Sequence, residues 1–145
     1  MKPFNLDTVL DHRKRLEDIA THRLVEAKLQ QKRVEQKLDE GNKHLTALIK
    51  KTALLQNEPI SILDLINYEN RILYLKKNID AVKKKLHEKT ETTLKEQQNL
   101  IEKSKDRQIM ANLKEQQNRT WRNYLNKKEV AMLDEIATIR NNAGN

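Results

Sequence analysis

Glycine and proline are nearly missing from this sequence. Glycine occurs only at Gly41 and Gly144, and proline only at Pro3 and Pro59. These residues break helices, one through excess backbone freedom and the other through a missing donor. Apart from Asn57-Glu58-Pro59-Ile60-Ser61, nothing interrupts a helical reading. Cysteine is absent, which excludes a disulfide framework or a thiolate zinc site within this sequence and suits a reducing compartment. One Phe, one Trp and three Tyr are too few to fill a thick core. No apolar run approaches the ~20 residues of a membrane span, and Met1-Lys2-Pro3-Phe4 leads into the first helix without a charged-then-apolar leader. The expectation is a soluble, cytosolic protein.

What is present is mostly leucine, lysine, glutamate, glutamine and arginine, which lose little on entering a helix. Hydrophobic residues are 37% and charged residues 34% of the chain, enough apolar surface for a thin seam between helices but not for a globule. Disorder is the competing reading of so polar a chain. Regular heptads argue against it. The net charge of +8 is spread along the length, with Lys83, Lys84 and Lys85 the densest run. Acidic residues interleave almost everywhere, so solvated helix faces come first and a basic stripe for an acidic partner second.

Steps of three and four from Leu10 give Arg13, Glu17, Ala20, Leu24, Ala27, Gln31, Val34, Leu38, Gly41, Leu45, Leu48, Thr52 and Leu55. Most are apolar, and the 3.5-residue period is that of a coiled coil. Pro59 pushes Glu58 out of helical geometry and ends the first helix. Ser61 followed by Asp64 is a capping-box pattern for the second. Leu65, Tyr68, Ile72, Leu75, Ile79, Val82 and Leu86 then hold consecutive seam positions. A connection this short makes antiparallel neighbours. It sets Leu48 near Glu69, Leu38 near Ile79, and Leu24 near Thr93 or Leu94. Past Leu86 the phase is expected to slip, with Leu94, Leu100 and Ile101 replacing Lys89, Thr93 and Glu96.

The predicted fold is all-α: a long two-helix antiparallel coiled-coil hairpin with a protruding C-terminal helix end. It is read as one domain over 1–145, with helices over about 5–56 and 62–140, a hinge at 57–61 and a disordered tail at 141–145. At ~1.5 Å per residue the helices would be roughly 80 and 120 Å long, so the second outruns its partner near Ile109 to Leu113. The protruding stretch carries Trp121, Leu125, Met132, Ile136 and Ile139 on one stripe, with Val130, Leu133 and Ala137 beside it. Asp134, Glu135 and Thr138 are expected to face away. A lone Trp with no thick core to fill is a common interface anchor, and the wide apolar face suits docking into a groove. Closure of a homodimer, or folding back on the first helix, is the plainer use of the same face.

Phe4-Asn-Leu6-Asp-Thr-Val9-Leu10-Asp-His-Arg13, followed by Glu17-Asp18-Ile-Ala20, resembles the opening of the flagellar export protein family FliJ. Lys128-Glu129-Val-Ala-Met-Leu133-Asp134-Glu135-Ile136-Ala137 is similar to that family's end, and Asn67-Tyr68, Ile72 and Leu75 fall at comparable places between. The resemblance implies a non-enzymatic stalk of the type III export apparatus at the cytoplasmic face of the inner membrane. Its implied partners are the hexameric export ATPase, the export gate membrane protein and export chaperones. It would set Leu6, Leu10, Arg13, Trp121, Leu125, Met132, Leu133, Asp134, Glu135, Ile136, Ile139 and Arg140 against the ATPase ring. Tyr68, Ile72 and Leu75 would meet the gate, while Arg71, Asn78 and Val82 depart from the family's pattern there. A virulence export stalk shares the same hairpin design.

Rival classes fare worse. Two glycines cannot make a phosphate loop. His12, His22, His44 and His87 lack the i,i+4 spacing that places two ligands on one helix face, so neither metal nor cofactor is expected. A basic coiled coil that binds nucleic acid suits the net charge, but no basic block precedes a zipper and stacking aromatics are scarce. A membrane-surface coiled coil would need an amphipathic face that is here committed to the hairpin.

Overall fold

The structure is a computed structural model that describes residues 6–144. It contains α1, Asp7–Leu55, and α2, Ile62–Ala143, packed against each other as an all-α helical hairpin, with no strand among the described residues. The expected start near Asn5 and the last residue of the expected tail lie outside the described residues, as does Phe4. Residues 141–143, expected to be disordered, instead extend α2 by most of a turn, with Gly144 N–H donating to the Arg140 carbonyl at 3.0 Å. Arg140 sits in that last turn, where a cation meets the free carbonyls favourably.

The chain breaks where proline dictates. The last turn of α1 tightens, with Asn57 N–H donating to the Leu54 carbonyl at 3.3 Å and Glu58 N–H to the Leu55 carbonyl at 3.2 Å. After Pro59 the Ser61 hydroxyl accepts from Asp64 N–H at 3.5 Å, while Leu65 N–H donates to the Ser61 carbonyl at 3.1 Å. Ser61 is thus the N-cap of α2, and Asp64 lies in its first turn.

Packing divides the chain into two compact units, one of Met1–Ile19 with Ile101–Asn145 and the other of Ala20–Leu100. In the second unit Ala20, Leu24, Ala27, Val34, Thr52, Ile79 and Thr93 are buried. The remaining seam positions of its α1 stretch, Gln31, Leu38, Gly41, Leu45, Leu48 and Leu55, are half-buried. The seam is one side chain thick, so buried positions are few and mostly small.

Across the seam Ile79 nests against Gly41, where an added Cβ would lie 3.2 Å from its Cγ1; the missing Cβ lets a branched side chain approach. Leu48 lines a groove with Arg71 and Leu75. One detail differs from the sequence expectation: the phase slip is absent. Leu94 and Ile101 are 55% and 41% exposed, whereas Lys89, Thr93, Glu96 and Leu100 keep the three-four stepping toward the seam. Long polar side chains hold those positions by laying their stems along the partner helix. This has a cost, since one Glu96 carboxylate oxygen is buried without a hydrogen-bond partner.

Candidate docking surface at the carboxyl end of α2

Within the first unit the helices are clasped by charge. Arg13 meets Asp106 at 3.3 Å, Arg107 meets Glu17 at 2.7 Å, and Lys114 pairs with Asp7. These are side chains at or beside the seam, placed there because Arg13 and Glu17 continue the heptad of α1 and Lys103, Arg107 and Lys114 continue that of α2. Leu10 is buried, and Leu6, Val9 and Met110 are half-buried around them. The Glu17 carboxylate also accepts from Ser104. The Arg107 hydrogen bond, opposed by partial burial, holds the Glu17 carboxyl below the ordinary glutamate range.

The sign of this shift gives a pH dependence. A carboxyl lowered in the folded state stabilises the fold at pH values above the ordinary glutamate value of about 4.3. That contribution is lost as pH falls through the lowered folded value. Melting of the wild-type chain should therefore fall on acidification below that range, and Glu17→Gln should flatten the fall. A titration of the Glu17 carboxyl followed by NMR should place it below the ordinary glutamate value. Titration at or above the ordinary value would remove the clasp from the account.

Lys114 is the last α2 residue in an ion pair with α1 among the described residues. Among the described residues none from Glu115 to Ala143 is buried, and only Gln117 and Trp121 are even half-buried. At ~1.5 Å per residue this is roughly 40 Å of uncovered helix. Leu125 is 43% exposed and Ile139 60%, with Val130, Met132, Leu133 and Ile136 between these values. Trp121, Leu125, Met132, Ile136 and Ile139 fall within about 60° on an ideal helix. Exposed apolar stripes of this kind are candidates for docking; Val130, nine steps and 180° from Trp121, lies on the opposite side of the helix and outside the stripe.

Asp134 and Thr138 lie away from the stripe. Glu135 does not: fourteen steps of 100° bring it to about 40° from Trp121, beside Lys128, so both charges border the apolar face. Tyr124, which the apolar spacing does not single out, stacks on Trp121 with ring centroids 5.5 Å apart and planes at 23°, as its position three residues on allows. The pair forms a flat aromatic platform with Gln117 and Thr120 at its edge.

The sequence-derived set is therefore split by its surroundings. Leu10 is buried in the clasp, Arg13 is engaged with Asp106, and Leu6 is half-buried. Leu125, Met132, Leu133, Asp134, Glu135, Ile136, Ile139 and Arg140 are exposed on the free end. In the second unit Tyr68, Ile72 and Leu75 are half-buried seam residues. Tyr68 has Lys51 Nζ 5.9 Å and Arg71 Cζ 5.8 Å from its ring centre. Leu75 lies in the groove shared by His44, Leu48, Arg71, Tyr74 and Asn78. The most exposed apolar groups near the hinge are instead Leu54, Ile62, Leu63 and Tyr74.

No group of histidine, cysteine, aspartate and glutamate side chains among the described residues could hold a metal. No described helix is long and apolar enough to cross a membrane. No curated protein and no solved structure is matched by the chain. Its whole length, residues 1–145, matches the family described as flagellar FliJ protein, and the chain belongs to that family.

Proposed function

We propose that this chain is a non-enzymatic coupling stalk of the flagellar type III export apparatus, and that the uncovered end of α2 docks it into the hexameric export ATPase. Membership of the flagellar family over all 145 residues supports the export role, and the uncovered stripe around Trp121 carries the docking. Trp121 and Tyr124 present a rigid aromatic anchor. Met132 and the leucines and isoleucines give an adaptable apolar ridge. Lys128 and Glu135 at its border set the register of docking.

The amino end acts through the clasp: Arg13 and Glu17 hold α1 to the base of the free end, and Leu10 fills the space between. ATP is bound and hydrolysed by the ring. A second contact, with the export gate membrane protein, uses the hinge-side surface at Tyr68, Ile72 and Leu75, and export chaperones are handed on from the same assembly. The chain then works at the cytoplasmic face of the inner membrane, held there by its partners. The family's flagellar description favours this over a virulence export system.

The test is co-purification of the export ATPase with the tagged chain. Trp121→Glu with Met132→Glu should weaken capture by about a hundredfold, the loss of two anchors worth a few kcal/mol together. Gln116→Glu, on the opposite side of the same exposed helix, should leave capture unchanged. Undiminished capture by the double variant would move the docking site elsewhere.

A further inference from the structure

A second surface lies in the unit Ala20–Leu100, on one side of its paired helices. Arg33 and Lys37 on α1 and Lys85 and Lys89 on α2 line a groove of about 460 Å³ with Gln30, Gln36 and Glu40, and Val34, 5% exposed, forms its floor. Each pair of cations is spaced i,i+4, about 6 Å apart along its helix. None of the four makes an ion pair among the described residues. Lys89 donates only to the neutral Gln30 amide oxygen, at 2.9 Å.

Several carboxylates nearby are engaged elsewhere. Glu26 accepts from Gln30 and Glu35 from Gln31, each at 3.2 Å, while Asp39 pairs with Lys43 and Glu91 with His87, each at 3.1 Å. Glu40 is the one acidic residue lining the groove. Four unpaired cations around an apolar floor therefore form a local excess of positive charge.

We propose that this groove receives an acidic amphipathic helix of a protein partner, lying as a third helix between α1 and α2. Glutamates at i,i+4 spacing on that helix match the two cation pairs, and an apolar side chain between them seats on Val34. The shape and chemistry favour a helix over other polyanions. No aromatic side chain lines the groove for bases to stack on. Its floor lies between two helices, where a flat lipid surface does not reach. The groove belongs to the unit Ala20–Leu100 and shares no residue with the free end of α2.

The test uses the full chain and a fluorescein-labelled helical peptide of repeating leucine and glutamate heptads, followed by anisotropy at low and moderate salt. The wild-type chain should bind it, and the same peptide with every glutamate changed to glutamine should not bind. The variant R33Q/K37Q/K85Q/K89Q should bind about tenfold more weakly, as four exposed charge pairs worth a few tenths of a kcal/mol each imply. The variant K14Q/K77Q/K105Q/K127Q, equal in charge and changed only at exposed lysines outside the groove, should bind as wild type. Hydrogen exchange of the wild-type chain with peptide should show added protection at 30–40 and 85–89, a readout that needs no variant to fold. Equal binding by both variants, binding of the glutamine peptide, or absent protection at those segments overturns the proposal. So does tighter binding of a single-stranded oligonucleotide or of anionic vesicles through the same four side chains.

Discussion

A chain ending at Leu113 should remain a helical hairpin and lose the export ATPase. The cut removes the whole of the uncovered stretch and, from the clasp, only Lys114 with its bond to Asp7. An ion pair at such an exposed position contributes less than about 1 kcal/mol. Arg13–Asp106 and Glu17–Arg107 remain, with Leu10 buried between the helices. Circular dichroism should therefore give nearly the same ellipticity per residue as the full chain, with a small drop in melting temperature. Capture of the ATPase should fall to background, because Trp121, Leu125, Met132, Ile136 and Ile139 are gone together. Full capture by the shortened chain would remove the free end from the docking proposal while leaving family membership untouched.

The largest stability effect is expected at Ile79. It is the one apolar side chain of α2 that is buried, and it packs into the space left by the absent Cβ of Gly41. Ile79→Asp removes its apolar contacts and puts a carboxylate between the helices, at a cost of about 3 kcal/mol or more. A seam one side chain thick has little reserve, so melting should drop by roughly 10 °C and the transition should broaden. Leu73→Asp, on the same helix but 58% exposed, is the control and should move the melting point by no more than a degree or two. Equal effects from the two substitutions would mean that the seam does not run through Ile79.

The regular parts of this protein were legible because they rest on local chemistry. Every position reached by alternating steps of three and four from Leu10 to Leu55 is buried or half-buried. Pro59 and Ser61 mark the break and the cap as their backbone limits require. The free end followed from comparing two helix lengths. Harder to read was the stretch of α2 after Leu86. There apolar Leu94 and Ile101 suggested a seam that had moved, while the helix kept its register with Lys89, Thr93 and Glu96. Hydrophobicity alone cannot rank a leucine against a lysine whose stem is buried and whose charge reaches water.

The proposed sites divide in the same way. The stripe on α2 could be read from spacing, and so could the lone Trp121. Its stacking on Tyr124, the engagement of Arg13 by Asp106 and the burial of Leu10 required coordinates. The basic groove was visible only as scattered lysines, since Arg33 and Lys85 are neighbours in space through the hairpin and not along the chain.

Helicity, the single break and the amphipathic face of each helix were determined by the amino-acid sequence alone, because capping, proline geometry and apolar period act within a few residues. Which residues meet across the hairpin was decided only by tertiary structure. That register depends on how much chain the hinge consumes and on Ile79 finding room beside Gly41, and neither is a property of one segment. The same pairing decides which charges are neutralised, as in the clasp, and which stay open to a partner, as around Val34.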